Sequence, residues 1–246
     1  AVVLEHADGR VTLENVAFSY KPEQELIRDF NLSLAKGQRV AIVGPTGCGK
    51  TTLINLLMRF YDVKGGQIKI AGTDINDVTR KSLRACYGMV LQDTWLSKGS
   101  VKENIAFGRP DAKDDEIIAA AKAAHAHSFI KKLKNGYDTM LEEDGSNLSV
   151  GQRQLITIAR AFLSSPDILI LDEATSALDN VSQKMVSDNL DKMRCTRVVI
   201  AHRLSTIRHC NRIIVLDKGH IVEEGTFEQL KAKGGLFADM IKRQEI

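Results

Sequence analysis

Eight residues, Gly44-Pro45-Thr46-Gly47-Cys48-Gly49-Lys50-Thr51, have the types and spacing to hold a chain of phosphates. They fit G-x-x-x-x-G-K-[ST]. Glycines let the backbone come close to an anion, and the loop amides face it together with the positive end of a following helix. Lys50 supplies a point charge for the β and γ phosphates, and Thr51 a hydroxyl for Mg²⁺. Such a loop needs a strand before it and a helix after it. Val40-Ala41-Ile42-Val43 is an apolar run of strand type, and Thr52-Leu53-Ile54-Asn55-Leu56-Leu57-Met58 reads as the helix. By itself the motif predicts binding of a nucleoside triphosphate and leaves open what the nucleotide is for.

Two further clusters carry chemistry. Asp172-Glu173 closes the apolar run Ile168-Leu169-Ile170-Leu171. Ligands of open α/β sheets sit at the carboxyl ends of strands. Asp172 has the place of the metal-shell carboxylate of phosphate-loop NTPases, and Glu173 that of a general base for the attacking water. A helix cap explains either carboxylate alone better than it explains the pair, because adjacent charges at an apolar strand end need a cation. Leu148-Ser149-Val150-Gly151-Gln152 opens a helix over 151–164, in which Leu155, Ile158, Ala159 and Phe162 share one face. A Ser and a Gly at a helix start form a second anion site. Ser149 is equally an ordinary helix cap.

The surrounding elements must bring these clusters into place. Val11 and Leu13 alternate with polar residues, and Val16, Phe18 and Tyr20 alternate in the opposite phase. A strand with a bulge at Glu14-Asn15 is predicted. Strands are also predicted over 26–34, 38–43, 67–71, 87–91, 198–201, 213–216 and 219–225, with turns at Lys36-Gly37 and Gly65-Gly66. From Gln92 to about Ser165 the chain turns Ala-rich and helical, with Asp114 as the expected cap of a helix and Pro166 as the stop of the helix 151–164. Short β-branched runs separated by helical segments then imply a parallel sheet. Two short helices split at Gly234-Gly235 end the chain. The expected architecture is one α/β unit: core 1–91 and 166–246, with a helical subdomain at about 92–165.

Composition bounds the rest. The chain has 246 residues and a net charge of +3 with no run of like charge, which gives no footprint for nucleic acid. Cys48, Cys86, Cys195 and Cys210 form no C-x-x-C pair, and a cysteine inside the phosphate loop suits a reducing compartment. No apolar run reaches the length of a membrane span, and no signal peptide is visible. The chain begins at Ala1 rather than Met, as expected of a piece of a longer protein.

In order and spacing these motifs resemble the nucleotide-binding domain of an ABC transporter, of the exporter type, over nearly the whole chain. Residues 44–51 are similar to Walker A, Ile168–Asp172 to Walker B with Glu173 after it, and Leu148–Gln152 to the L-S-G-G-Q signature. The resemblance implies a P-loop NTPase core with a mainly parallel sheet, an N-terminal antiparallel β subdomain and an inserted α-helical subdomain. It implies ATP and Mg²⁺ as ligands. The implied ATP-binding residues are Tyr20 as the adenine-stacking aromatic, Gly44, Pro45, Thr46, Gly47, Cys48, Gly49, Lys50, Thr51, Thr52 and Gln92. Thr51, Gln92 and Asp172 are the implied metal contacts, and Glu173, His202, Lys50 and Gln92 the catalytic group. Leu148, Ser149, Val150, Gly151 and Gln152 would face the nucleotide of a partner, and the D-loop Ser176, Ala177, Leu178 and Asp179 would cross to it. Val150 departs from the signature's glycine, and Glu142 and Asp144 depart from a G-E-R-G-like stretch of exporters that Glu143 and Gly145 fit.

The implied mechanism is a head-to-tail pair of such domains, homo- or heterodimeric, closing on two ATP and reopening after hydrolysis. That cycle would power export by a transmembrane domain upstream on the same polypeptide, at the cytoplasmic face of a membrane. Leu96–Ile105 resembles exporters more than importers, and Trp95 stands where such domains dock their membrane partner or pack internally. Two alternatives differ in class. A soluble ABC ATPase acting on DNA or the ribosome would carry coiled-coil arms, zinc modules or tandem cassettes, and none is in the sequence. A pseudo-ATPase would lack some of Lys50, Asp172, Glu173 and His202, and all are present.

Overall fold

The computed structural model describes residues 1–5, 7–200 and 203–243. Strand β1 (Val11–Phe18) buries Val11, Leu13, Val16 and Phe18. Keeping those four on one face requires an extra residue, and the register shifts between Leu13 and Val16 with Asn15 at φ 49°. β2 (Ile27–Leu34) and β3 (Arg39–Val43) follow, and then helix α1 (Lys50–Leu57). β4 (Gly65–Ile70), β5 (Thr73–Asp74) and α2 (Arg80–Ala85) lead to β6 (Tyr87–Val90). The helical stretch holds β7 (Gly99–Ser100), α3 (Val101–Ile105), α4 (Asp114–Ala123), α5 (His127–Lys132), β8 (Met140–Leu141) and α6 (Val150–Ser164). β9 (Ile168–Asp172), α7 (Asn180–Asp191), β10 (Thr196–Ile200) and α8 (Leu204–Ile207) come next. β11 (Arg212–Asp217), β12 (His220–Gly225), α9 (Phe227–Lys233) and α10 (Leu236–Arg243) complete the chain.

The chain divides into two compact units, 1–87 with 195–246, and 88–194. In the first, β2, β1, β4 and β5 form an antiparallel sheet in that order. β3 lies between β10 and β11, parallel to both, with Ile42 opposite Ile200 and Ile214. β12 pairs antiparallel with β11. A parallel strand flanked on both sides is buried on both faces, which is why 40–43 is apolar without alternation. The second unit holds β9 beside β6 and packs α6 against α3 and α4. It includes β9 and α7 as well as the helical stretch. The fold is α/β, with a mainly parallel sheet, an antiparallel β subdomain and a helical insertion.

Local expectations differ from the structure at four places. Tyr20 lies beyond the end of β1, in a bend. Gly65-Gly66 is inside β4, because Gly66 runs against the β1 bulge: a Cβ there would stand 2.2 Å from the Asn15 carbonyl oxygen. Asp114 is the first residue of α4 rather than its cap. The Lys113 amide donates to Glu116 across the first turn, and Asp114 pairs with Lys102 at 3.0 Å. The helical stretch contains a two-residue ladder, Gly99 opposite Leu141 and Ser100 opposite Met140. As expected, α6 stops before Pro166, with Ser165 at φ 44°. Among the described residues no helix is long and apolar enough to cross a membrane.

Candidate functional site

In the first unit, the chain leaves β3 at Val43 and passes through the glycine loop into α1. Gly44 has no room for a side chain, since a Cβ would lie 2.2 Å from the Leu216 carbonyl oxygen and 2.7 Å from Cys48 Sγ. Gly47 and Gly49 adopt φ 78° and 111°, a left-handed region that turns the loop back on itself. The Cys48 amide donates to the Pro45 carbonyl at 3.1 Å, and Lys50 Nζ donates to the Gly44 carbonyl at 2.7 Å. Pro45, Thr46, Gly47 and Thr51 are exposed, whereas Cys48 and Thr52 are buried. Burial pushes the Cys48 thiol above its ordinary range, against the pull of the Lys50 charge. A loop with open space beside Gly47 and an ammonium bonded to its own Gly44 carbonyl fits an anion of phosphate type.

Tyr20 is in the same unit and is 46 % exposed. Its ring meets Phe18 at 4.8 Å and Tyr61 at 5.0 Å, both edge-on. Its hydroxyl accepts from Asn55 Nδ2 at 3.1 Å and lies 3.3 Å from Thr52 Oγ1. Asn55 and Tyr61 escaped the sequence reading. Asn55 is a half-buried polar residue amid the apolar residues 53–57 of α1, and Tyr61 is an aromatic in a bend, two signals that do not point to each other in sequence.

In the second unit, Asp172 ends β9 and Glu173 follows at φ 51°. The left-handed region is costly for a residue with a Cβ, and such strain collects at functional positions. Gln92 is exposed in the loop after β6. Trp95 is exposed in the same loop, edge-on to Phe107 at 5.2 Å, with the Arg160 guanidinium over both rings. Burial lowers the Arg160 guanidinium to about 10. Trp95 is thus a surface residue, 52 % exposed, rather than a core one.

The signature caps α6 as a reciprocal box. The Gln152 amide donates to Ser149 Oγ at 3.1 Å, and the Ser149 amide to Gln152 Oε1 at 3.0 Å. Val150 is the first helical residue and is half exposed, so its side chain displaces nothing at the helix start. Gly151 passes the Ala177 carbonyl oxygen, which a Cβ would approach to 2.9 Å. Asp179 caps α7, accepting from the Ser182 amide at 2.8 Å, and that bond holds its carboxyl below the usual range. The structure therefore brings Ser149, Gly151, Gln152 and the 177–179 segment together. They line one cleft of about 500 Å³ with His125 and Lys132. Leu148 is buried and is not among the cleft's lining residues.

Gln154 is a residue the sequence reading missed. It is 1 % exposed; its Nε2 donates to Ser176 Oγ at 3.2 Å, and its Oε1 accepts from the Ala177 amide at 3.1 Å. A polar residue beside Leu155 on the buried stripe of α6 was the available signal. His202 lies outside the described residues. Among those described, no group of three His, Cys, Asp or Glu side chains gathers to hold a metal. Mg²⁺ bound with phosphates needs only one or two protein oxygens, for which the Thr51 hydroxyl and the Asp172 carboxylate are of the right kind.

The family profile described as ABC transporter matches residues 27–176. The chain belongs to the ABC transporter family. This ABC chain is 51 % identical over 241 residues to the fatty acid ABC transporter ATP-binding/permease protein of Mycobacterium bovis, covering 97 % of the chain and 38 % of that protein. It is 49 % identical over 246 residues to an ATP-binding/permease protein of Staphylococcus aureus assigned by name to multidrug export, covering 99 % and 43 %. The solved structure of a bacterial Atm1-family ABC exporter with ATP bound superposes with a TM-score of 0.92 at 43 % identity, covering 99 % of this chain and 43 % of that one. The ABC chain thus spans 38–43 % of the length of these relatives.

Proposed function

We propose that this chain binds and hydrolyses Mg-ATP, pairs head-to-tail with a second nucleotide-binding domain around two ATP, and powers export by a transmembrane domain on the same polypeptide. The carrying observation is the glycine loop between β3 and α1, where Gly44 admits no Cβ and Lys50 Nζ is held on the Gly44 carbonyl. ATP in the bound exporter structure and the ATP-binding/permease names of the relatives support the nucleotide and the membrane partner. The same names weigh against a soluble ATPase acting on nucleic acid or ribosomes. The chain would then work at the cytoplasmic face of a membrane, and the relatives' naming does not carry one cargo to it.

In this reading free backbone amides of the 44–51 loop, in which Pro45 has none, and Lys50 hold the β and γ phosphates, and Tyr20 stacks on the adenine. Mg²⁺ neutralises phosphate charge when bound; Thr51, Gln92 and Asp172 supply protein oxygens for it. Glu173 takes the proton of the attacking water. His202 contacts the γ-phosphate and orients Glu173. Ser149, Gly151 and Gln152 of one copy complete the phosphate site of the other, and Ser176–Asp179 cross with them. Because each nucleotide touches two copies, ATP stabilises the pair and loss of the γ-phosphate releases it.

Steady-state phosphate release tests the chemistry. Glu173→Gln is expected to keep ATP affinity and lose on the order of 10²–10⁴-fold in turnover, the worth of a general base. Undiminished turnover removes Glu173 from its role. Lys50→Ala is expected to weaken ATP binding itself, and an unchanged affinity refutes the cradle.

A further inference from the structure

We propose that Asn55 and Tyr61 are positioning residues that hold the Tyr20 ring against α1. One helix would then set both the phosphate end and the base end of the nucleotide. The inference rests on the reading of Tyr20 as the adenine-stacking residue.

Tyr20 belongs to no strand or helix, and nearly half of its surface is exposed. A tyrosine in such a place samples several rotamers, and ordering it on binding weakens affinity. Here four contacts restrict that freedom without any ligand. Phe18, 3 % exposed and fixed in β1, meets the ring at 4.8 Å with the planes at 89°. Tyr61 meets it at 5.0 Å and 83°. Neither neighbour lies flat on Tyr20. At the far end Asn55 Nδ2 donates to the Tyr20 hydroxyl at 3.1 Å, with Thr52 Oγ1 at 3.3 Å on the adjacent turn.

Of these anchors Thr52 and Asn55 belong to α1 and Tyr61 to the chain leaving it, whereas Phe18 belongs to β1. Lys50 is the first residue of α1, Thr52 and Asn55 lie on its next turn, and the Phe60 amide donates to the Asn55 carbonyl at 2.9 Å. Tyr61 therefore follows a segment closed onto the carbonyl of the same asparagine whose side chain holds Tyr20. A shift of α1 that moves Lys50 must also move the hydroxyl end of Tyr20. If the aromatic group only covered Phe18, its loss would lower stability without separating base from phosphate recognition.

Equilibrium binding of Mg-ATP and of inorganic tripolyphosphate to the same proteins separates the two ends. Asn55→Ala and Tyr61→Ala are each expected to weaken ATP binding by ~3–10-fold, the worth of one hydrogen bond or ring pair. Tripolyphosphate affinity should change by less than about twofold. Tyr20→Phe keeps the ring and drops the hydroxyl with both of its partners, so it should lose at least as much as Asn55→Ala, and the double variant should lose no more than Tyr20→Phe alone. Equal losses for both ligands, or no loss for ATP, overturn the proposal. Tyr20→Ala tells the two failures apart. If it leaves the ratio of ATP to tripolyphosphate affinity unchanged, the stacking reading fails and the proposal with it. If it collapses that ratio while Asn55→Ala and Tyr61→Ala do not, only the positioning role fails.

Discussion

Glu173 stands at φ 51° at the end of β9, a backbone position that a residue with a Cβ occupies at a cost of about 1–2 kcal/mol. Sequence position suggests a base; the backbone adds that the chain tolerates strain to present it. Glu173→Gly should therefore have a higher thermal midpoint than Glu173→Ala, which loses the same carboxylate but keeps the Cβ, while turnover falls as far as in Glu173→Gln. A lower midpoint would show that the conformation is not strained. Cys48 makes a second residue-scale case. Its thiol is pushed above the ordinary range by burial, so the reactive thiolate stays scarce at neutral pH and its fraction keeps rising through the alkaline range. Alkylation at Cys48, followed by peptide mass spectrometry, should be slow at pH 7, accelerate with pH beyond an exposed thiol, and be blocked by ATP. Absence of ATP protection would place Cys48 away from the nucleotide.

Elements are held in place by a few close approaches. The bulge in β1 leaves Glu14 and Asn15 carbonyls against Gly66, whose φ is 71°. Gly66→Ala should cost on the order of 1–3 kcal/mol in urea unfolding, since both the space and the backbone conformation oppose it. The α6 helix and the segment before α7 meet through Gly151 and Gln154. Gln154→Leu fills the same volume but removes the bonds to the Ser176 hydroxyl and the Ala177 amide, an expected loss of about 1–3 kcal/mol. If 176–179 serves the partner's site, that variant should also lose turnover at nucleotide saturation while monomer affinity for ATP holds. A variant with full turnover would make the Gln154 contact purely structural.

Over the whole molecule, the phosphate cradle lies in one compact unit and the signature cleft in the other. Residues 149–152 hydrogen-bond within their own helix start, and as a phosphate site they gain a ligand only from another copy in the proposed arrangement. Turnover per chain should therefore rise with protein concentration. Glu173→Gln should elute as a dimer with Mg-ATP and as a monomer with ADP, by light scattering. A wild-type specific activity independent of concentration, with no dimer in the variant, would refute the paired mechanism. A fused membrane domain in the relatives would supply that pairing at high effective concentration.

The sequence by itself determined the chemistry-bearing loop, because G-x-x-x-x-G-K-T between an apolar run and a helix is a local pattern with a local cause. It also determined the α6 start and stop, through Ser149, Gln152 and Pro166, and the β1 bulge, through the phase change at Glu14-Asn15. It placed Tyr20 in a strand and Asp114 at a cap, because alternation and residue type do not show where a strand ends or which amide is free. The meeting of Asn55 and Tyr61 on Tyr20 is a tertiary contact with no local signal. Only tertiary structure decided that Gly151 and Gln154 touch a segment more than twenty residues away, and that Gly44 abuts Leu216. Those contacts join residues distant along the chain, and periodicity carries no information about which distant backbone a buried amide or a missing Cβ will meet.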